Sequence, residues 1–362
     1  MDTILKERHR KLREALRLED LDAMVVLDRT NTRYLTGFES SYSILAIDLG
    51  SATFITDPRY AEAAEKALPG FKVLVQPTEK VKEFLRGFFA GRKYSRVGHE
   101  TSIAVDELVQ LRSYLRGVRL VKAGQLVENL RRVKDASEIR IIRKAVSLAD
   151  KLMEVAFSAI VPGQTEAEIS RAIRFGSEEI GGDRESFGNI VASGPNSSRP
   201  HHHPGSRRIR KGDMVTVDLG VKFGGYCSDL TRNACVGKPS KKLQEIFDVC
   251  LLANQEATKG LRPGMTGKEV DAIAREVIAS AGYGKYFGHG LGHGVGLQIH
   301  EEPRLSPRAG NYRLEPGNIV TIEPGIYLPG VGGVRVEDYA VVTEKGATVL
   351  SKSPRELRIL RG

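Results

Sequence analysis

Residues 212–218 read Gly-Asp-Met-Val-Thr-Val-Asp, and residues 317–323 read Gly-Asn-Ile-Val-Thr-Ile-Glu. Each segment is a short apolar strand that follows a glycine and ends on a carboxylate. Two other pairs repeat in the same order: Pro-Gly-Gln-Thr at 162–165 with Pro-Gly-Met-Thr at 263–266, and Pro200-His201 with His300. The three offsets are 105, 101 and 99 residues. Repeats in one order predict two related halves of helices and strands about a pseudo-two-fold axis.

Strand parity predicts where the repeated carboxylates point. Alternate side chains of a strand face opposite sides, so Asp218 and Glu323 oppose the apolar residues that precede them. Glu337 likewise opposes two valines, and Asp229 matches it in the other half. A single strand-end carboxylate is usually a solvated cap, and two could share a proton, but four buried together are costly without a cation. The full set therefore predicts a metal centre.

Histidines cluster at two places in this second part of the chain. The tract 201–203 is three histidines, and because His201 has the repeat partner His300, His201 is the candidate; we interpret His202 and His203 as solvated. Residues 288–296 read Gly-His-Gly-Leu-Gly-His-Gly-Val-Gly, which predicts a site wall where glycine lets backbone approach a ligand and an imidazole points inward. A phosphate cradle is disfavoured, since neither a P-loop ending nor Rossmann spacing is present.

The first part of the chain alternates helix and strand signals, which predicts a separate α/β domain over residues 1–125. It contains no tight group of His, Asp and Glu. Residues 126–362 are predicted to be the second domain, which opens on a long helix at 136–160 and carries nearly all the candidate chemistry. In the first domain we expect helices at 4–18, after Asp57-Pro58 and at 81–89, with strands at 23–27, 44–47, 52–55 and ending at 97–98.

Composition indicates an ordinary globular protein, with 41% hydrophobic and 28% charged residues among 362. The net charge of +10 invites a nucleic-acid partner, but basic and acidic residues are interleaved. We interpret the one dense basic cluster, at 207, 208, 210 and 211, as a solvated loop. Three cysteines without CxxC spacing indicate reduced thiols. Lacking a signal-peptide pattern or an apolar run of roughly 20 residues, the sequence predicts a cytoplasmic protein with no membrane or nucleic-acid partner.

Together these segments resemble the pita-bread-fold metallopeptidases, specifically the Xaa-Pro dipeptidase (prolidase) and aminopeptidase P branch. The resemblance covers essentially the whole chain. It implies a creatinase-like α/β N-terminal domain, and an α+β pita-bread catalytic domain whose two halves are the internal repeat. The motifs that carry it are residues 31–38, 57–60, 193–196 with 200–201, 218–220, 228–232, 289–296, 300–304 and 323–325.

The resemblance also implies a site for two divalent metal ions, with Mn, Co, Zn or Fe as candidates. Asp218 would bind one ion, Asp229 and Glu337 would bridge both, and His293 and Glu323 would complete the second. Each of these five positions carries a residue able to bind metal. Glu323 is in addition implied as a carrier of protons during catalysis.

Five residues are implied on the substrate side of this site. His201 and His300 would position the peptide and stabilise the tetrahedral intermediate, which makes them catalytic candidates together with the proton carrier. Tyr327 and Arg335 stand where the family has residues that contact either the substrate or the metal ligands. Arg304 is a candidate for pairing with the free carboxylate of a dipeptide, because guanidinium binds carboxylate in a bidentate manner.

The expected activity is hydrolysis of the bond between an N-terminal residue and proline, most simply in Xaa-Pro dipeptides. An aminopeptidase P that acts on longer Xaa-Pro-Xaa peptides is the alternative, and a homodimer is implied in either case. An N-terminal methionine aminopeptidase is disfavoured, because it would lack a domain like residues 1–125. A catalytically inactive binding module is disfavoured because no ligand position is eroded.

Overall fold

The computed structural model describes residues 2–361 and divides into two compact units, Met1–Arg131 and Arg132–Gly362. This division lies six residues beyond the boundary expected at 125/126. The intervening helix belongs to the first unit because Asn31 Nδ2 donates to Glu128 Oε1 at 2.8 Å, and Arg131 Nη1 donates to Asn31 Oδ1 at 2.8 Å.

The first unit is built on one mixed six-stranded sheet. Its strands are β1 (Ala23–Val26), β2 (Ile44–Asp48), β3 (Ala52–Thr56), β4 (Lys72–Val75), β5 (Arg96–His99) and β6 (Arg119–Lys122), and its helices are α1 (Thr3–Leu18), α2 (Arg29–Thr36), α3 (Ala61–Ala67), α4 (Val81–Ala90), α5 (Val105–Tyr114) and α6 (Leu126–Arg132). The strand order is β4-β3-β2-β1-β5-β6, with β2 antiparallel to both its neighbours and the other pairs parallel. Apolar residues of α4 and α5 pack with β1 and β2 in a single core.

The second unit consists of two halves that each place two helices before a sheet. The first half comprises α7 (Ala136–Ala159), α8 (Glu166–Glu179), β7 (Arg184–Glu185), β8 (Ile190–Ser193), β9 (Met214–Leu219), β10 (Val221–Phe223), β11 (Tyr226–Cys227) and β12 (Leu230–Val236). The second comprises α9 (Lys241–Gly260), α10 (Gly267–Ser280), β13 (Gly292–Gly294), β14 (Glu301–Leu305), β15 (Ile319–Ile322), β16 (Gly325–Leu328), β17 (Gly332–Arg335), β18 (Asp338–Thr343), β19 (Gly346–Val349) and β20 (Arg358–Leu360).

The strand orders of the two main sheets reflect the duplication. One sheet runs β20-β12-β9-β8 and the other β14-β13-β15-β18-β19, with antiparallel pairing at β12–β9–β8 and at β18–β15–β13. The predicted apolar strand faces are in the cores: Val217 packs in a cluster with α7 and α8, and Ile322 packs in a cluster with α9 and α10. The opposite faces, which carry the carboxylates, are therefore turned away from both cores.

The Pro-Gly-x-Thr repeats are helix starts of identical construction. Thr165 and Thr266 each cap a helix and form a capping box with the glutamate three residues on. Both helices therefore begin at the residue after the threonine, at Glu166 and at Gly267. Each threonine also bridges to an arginine, whose Nη1 donates at 2.7 Å to the carbonyl of Gly163 in one half and Gly264 in the other.

The basic cluster at 207–211 is not simply a solvated loop. Arg207 is half-buried and pairs with Asp213 at 2.6 Å, and Arg208 is the arginine that bonds to Gly163. The three cysteines are free and buried. Within residues 2–361 we find no helix that combines the length and the apolar character needed to cross a bilayer.

Candidate metal centre and active site

The five side chains chosen from the sequence as metal ligands converge on one cavity of the second unit. Asp218 is the penultimate residue of β9, and Glu323 directly follows β15. Asp229 directly precedes β12, and Glu337 directly precedes β18. Equivalent strands thus supply equivalent carboxylates from the two halves, while His293, at the centre of β13, belongs to one half only.

The distances between these side chains suit a divalent cation. His293 Nε2 lies 3.6 Å from Asp229 Oδ2 and 3.3 Å from Glu323 Oε1. Possible ligand atoms of Asp229, His293 and Glu337 all lie within 4.8 Å of one another. Asp218 Oδ1 is buried and accepts no hydrogen bond from any residue between 2 and 361. Crowded carboxylate oxygens, one imidazole and an oxygen without a donor fit a first-row divalent metal.

The carboxylates repel one another strongly when no cation is bound. Burial raises the pKa of Asp229 well above its usual value, and the neighbouring carboxylate of Glu337 raises it further. The pKa of Glu337 is raised for the same reasons, first by burial and then by Glu323 and Asp218. Burial raises the pKa of Glu323 to about 7. Without metal, this cluster therefore holds protons near neutral pH.

His293 is held in the form that can bind metal. Its Nδ1 lies 3.0 Å from the carbonyl oxygen of Gly294, which can only accept, so Nδ1 carries the hydrogen and Nε2 presents its lone pair to the carboxylates. Burial, and then the neighbouring His300, lower the pKa of His293 to about 3. The imidazole therefore stays neutral at physiological pH.

Arg335 connects several of the implied site residues. Its Nη2 donates to Asp218 Oδ2 at 2.5 Å, its Nη1 to the hydroxyl of Tyr327 at 3.0 Å, and its Nε to Thr231 Oγ1 at 3.1 Å. The Tyr327 hydroxyl donates in turn to Nε2 of His289 at 3.0 Å. Burial lowers the pKa of His289 to about 4, which keeps this acceptor neutral.

The substrate-side residues surround a cavity of about 320 Å³. His201, His300, Arg304 and Arg335 line it together with the five candidate ligands. The rings of His300 and His293 meet edge to face with centroids 4.4 Å apart. Tyr327 does not line this cavity; it lines an adjoining one that shares His201. Among the implied substrate residues, Tyr327 thus reaches the main cavity only through its hydrogen bonds.

Comparison with known proteins identifies the family. The sequence matches metallopeptidase family M24 over residues 140–344 and the creatinase/prolidase N-terminal domain over residues 8–133. The chain belongs to metallopeptidase family M24. The predicted family and fold, a creatinase-type domain followed by a pita-bread catalytic domain, are confirmed.

Relatives of this M24 peptidase carry two related names. The chain is 34% identical over 356 residues to an Xaa-Pro dipeptidase of Pyrococcus horikoshii, covering 98% of this chain and 99% of that protein. The structure of an Xaa-Pro dipeptidase from Bacillus anthracis matches with a TM-score of 0.95 at 39% identity, covering 98% and 100% of the two chains. An X-Pro aminopeptidase from Thermotoga maritima matches with a TM-score of 0.89 at 31% identity, covering 96% and 100%.

The glycines of the M24 site have a second purpose beside the one the sequence suggested. A Cβ on Gly292 would lie 2.0 Å from the carbonyl oxygen of Thr321, and one on Gly294 would lie 2.3 Å from that of Glu302. These glycines therefore permit close approach of neighbouring backbone, while Gly290 and Gly292 also line the cavity as the predicted site wall requires. The close packing brings β13, with His293, against β15, which directly precedes Glu323.

His202 contradicts its interpretation as a solvated imidazole. It is buried between two exposed histidines, and its Nε2 lies 2.7 Å from Oε2 of Glu166. His203 is exposed, as expected. The sequence placed the tract in a polar loop, where a buried carboxylate partner 36 residues away could not be foreseen.

Sequence reasoning also missed residues that hold the candidate ligands in place. Thr231 Oγ1 donates to Glu337 Oε2 at 2.7 Å, and Thr321 Oγ1 donates to Glu323 Oε1 at 3.1 Å. His289 lines the main cavity itself and also accepts a hydrogen bond from Tyr327. Parity could have indicated Thr321, which lies on the same strand face as Glu323, whereas the Thr231 contact joins strands from different halves.

Proposed function

We propose that this M24 peptidase hydrolyses the bond between an N-terminal residue and proline, with Xaa-Pro dipeptides as its substrates. This proposal rests on the buried group of candidate metal ligands, which includes Asp218 Oδ1. These ligands line a cavity together with His201, His300 and Arg304. The relatives from Pyrococcus horikoshii and Bacillus anthracis, both named Xaa-Pro dipeptidases, support the choice of substrate.

The site would hold two divalent ions. Asp218 would bind one ion, Asp229 and Glu337 would bind both, and His293 and Glu323 would complete the second. One imidazole among carboxylates suits Mn(II), Co(II), Fe(II) or Zn(II). When bound, such ions polarise a carbonyl oxygen and lower the pKa of water, which provides a nucleophile near neutral pH.

The chain's own side chains carry the remaining steps. Glu323 accepts a proton from the attacking water and delivers it to the proline nitrogen as the peptide bond breaks. His201 and His300 line the cavity and donate hydrogen bonds to the carbonyl oxygen as negative charge develops there. Arg335 fixes Asp218 in place through their hydrogen bond.

Arg304 would select substrates that end at the proline. Its side chain is exposed at the cavity and forms no hydrogen bond or ion pair within residues 2–361, so the guanidinium is available to a carboxylate. A dipeptide places its carboxylate immediately after the proline ring, where a longer peptide would continue. The aminopeptidase P alternative, favoured by the Thermotoga maritima relative, predicts no such requirement.

The deciding experiment compares Ala-Pro, Ala-Pro-amide and Ala-Pro-Ala after reconstitution with Mn, Co or Zn. We expect turnover of Ala-Pro and little of the other two. Turnover of Ala-Pro-Ala above that of Ala-Pro would establish the alternative. No turnover of any substrate with any metal would refute the proposal.

Arg304→Gln is the matching variant for the dipeptide preference. Losing a charge-assisted bidentate pair should raise KM for Ala-Pro by about tenfold or more. Arg308→Gln is the control, because Arg308 is exposed nearby but does not line the cavity. Equal KM values for both variants would remove Arg304 from carboxylate binding.

We also infer a cytoplasmic homodimer. Three free, buried cysteines support a reducing compartment. Sedimentation equilibrium tests the dimer, and a single species near the 39.8 kDa of one chain would contradict it.

A further inference from the structure

The carboxylate of Glu166 is buried beneath the loop that carries His201. Glu166 is the first residue of α8 and has no exposed area. Burial raises the pKa of this carboxyl, but hydrogen bonds from Ser193, His202 and Asn196 together hold it below its usual value, so it is ionised. It accepts from Ser193 N at 2.9 Å, Ser193 Oγ at 2.6 Å, Asn196 Nδ2 at 3.0 Å, His202 Nε2 at 2.7 Å and Gly205 N at 3.3 Å.

These donors bracket His201 on both sides. Ser193 and Asn196 precede it, His202 is the next residue, and Gly205 follows. His202 points down to the carboxylate and is buried, whereas His201 is exposed and lines the cavity. Since neighbouring side chains leave the backbone in different directions, fixing His202 restricts where the imidazole of His201 can point.

The loop is also held from two further directions. Arg207 Nη1 donates to Ser193 Oγ at 2.6 Å and to Asp213 at 2.6 Å, which extends the network below the loop. From the cavity side, Arg335 Nη1 donates to the carbonyl oxygen of Pro200 at 3.3 Å. The backbone next to His201 thus lies between Glu166 and the guanidinium that also contacts the metal centre.

The repeat places a carboxylate at this position in the first half of the second unit but not in the second half. The residue equivalent to Glu166 is Gly267, 101 positions later, which likewise follows a capping threonine. A Cβ on Gly267 would lie 1.8 Å from the carbonyl oxygen of Arg304 in β14. In the second half, β14, which follows His300, occupies the space that a side chain at position 267 would need. In the first half an irregular loop takes the strand's place, and the buried carboxylate supplies the bonds that a strand would have made.

We propose that Glu166 is a positioning residue for His201, and that it acts through His202 and the backbone of residues 193–205. The inference rests on the proposed function only in that His201 contacts the substrate.

Glu166→Gln tests this role with little change of shape. The amide would present a donor to groups that are themselves donors. We expect kcat for Ala-Pro to fall by about 10- to 100-fold, as for a misplaced catalytic group, while KM changes by less than about threefold. Metal content should be unchanged, because Glu166 contacts none of the five candidate ligands. The control is Glu168→Gln, an exposed capping residue in the same turn, with kcat expected to stay within about twofold.

A double-mutant cycle distinguishes positioning from general support of the fold. If Glu166 acts through His201, Glu166→Gln should lower kcat by less than about twofold further once His201→Ala is present. If Glu166→Gln lowered kcat by the same factor in wild type and in His201→Ala, the proposal would be overturned. It would also be overturned if Glu166→Gln alone left kcat unchanged. Should Glu166→Gln fail to fold, His202→Leu and His202→Gln replace it: only the glutamine keeps an N–H donor, and it should retain at least about fivefold more activity. Equal activities would overturn the role of His202.

A readout that needs no catalysis separates this inference from the proposed function. Trypsin can cut after Arg207 and Arg208, at the carboxyl end of the loop, and mass spectrometry identifies the sites; the bond after Arg199 precedes Pro200 and resists trypsin. In metal-reconstituted protein, Glu166→Gln should be cut at these sites about tenfold faster than wild type or Glu168→Gln, because the loop opens more readily once the Glu166 carboxylate no longer restrains it. Equal cutting rates would overturn the proposed restraint. A wild type that cleaves no Xaa-Pro peptide would refute the function and leave this result standing.

Discussion

Replacing a proposed metal ligand should stabilise this peptidase when metal is absent, although we expect it to abolish catalysis. Asp229→Asn removes one of the crowded carboxylates and substitutes a group that is neutral at every pH. In the metal-free wild type, burial and neighbouring charges raise the pKa of Asp229 well above its usual value. The folded state thus binds a proton that the unfolded state has released, and stability is lost as pH rises towards the folded pKa.

The size of the effect follows from proton linkage. A carboxyl that keeps its proton only in the folded state makes the free energy of unfolding fall by about 1.4 kcal/mol per pH unit. Between pH 6.5 and 8.0 the advantage of Asp229→Asn over wild type should therefore grow, by at most about 2 kcal/mol. The histidines, whose pKa values are lowered by burial, contribute to both proteins and largely cancel in this difference.

Urea unfolding in the presence of a chelator measures this difference. Asp248→Asn is the control, because Asp248 is exposed on α9 and the same change there should leave the pH dependence as in wild type. Saturating Mn should reverse the order, since it binds the folded wild type and not the unfolded chain. An Asp229→Asn advantage that stays constant or shrinks between pH 6.5 and 8.0 would refute the reasoning.

Three other changes test the contacts around the site and in the first unit. Lys134→Met should lower the free energy of unfolding by about 3–5 kcal/mol in urea, because it leaves the buried Glu301 carboxylate without its cation at 3.1 Å. Thr231→Val should weaken Mn binding by about 10- to 100-fold in calorimetry, because Glu337 loses its hydroxyl donor. Burial raises the pKa of Glu100 to about 7. The free energy of unfolding of the first unit, measured by hydrogen exchange, should therefore fall by about 1.4 kcal/mol between pH 6 and 8, and this fall should be absent in Glu100→Gln.

Matched controls accompany these three variants. Lys144→Met and Glu107→Gln alter exposed residues of α7 and α5, and Thr258→Val removes a hydroxyl that bonds only within its own helix. Stability losses equal for Lys134→Met and Lys144→Met would show that the buried pair contributes nothing. Unchanged Mn affinity in Thr231→Val would contradict the predicted role of its hydroxyl. If Glu100→Gln had the same pH dependence of unfolding as wild type, the prediction for Glu100 would be wrong.

The duplication made much of the second unit predictable from sequence. Parity along residues 215–219 and 320–323 identified the apolar faces that the structure places in two cores. The contacts that could not be predicted join residues far apart in sequence but adjacent in space. Thr231 and Glu337 are 106 residues apart, and Glu166 and His202 are 36 apart. Periodicity along one strand or helix contains no information about such partners.

The departures from symmetry are as informative as the repeat itself. Carboxylates related by the pseudo-two-fold axis suit a pair of ions, which have no direction. A peptide does have a direction, so a fully symmetric cavity could not distinguish its amino end from its carboxyl end. By the offset that relates His201 to His300, the counterpart of Arg304 is Gly205, which carries no charge and donates its N–H to Glu166. The two halves thus place a cation on one side of the cavity and the hydrogen-bonded histidine loop on the other, the asymmetry that the proposed recognition of a single free carboxylate would require.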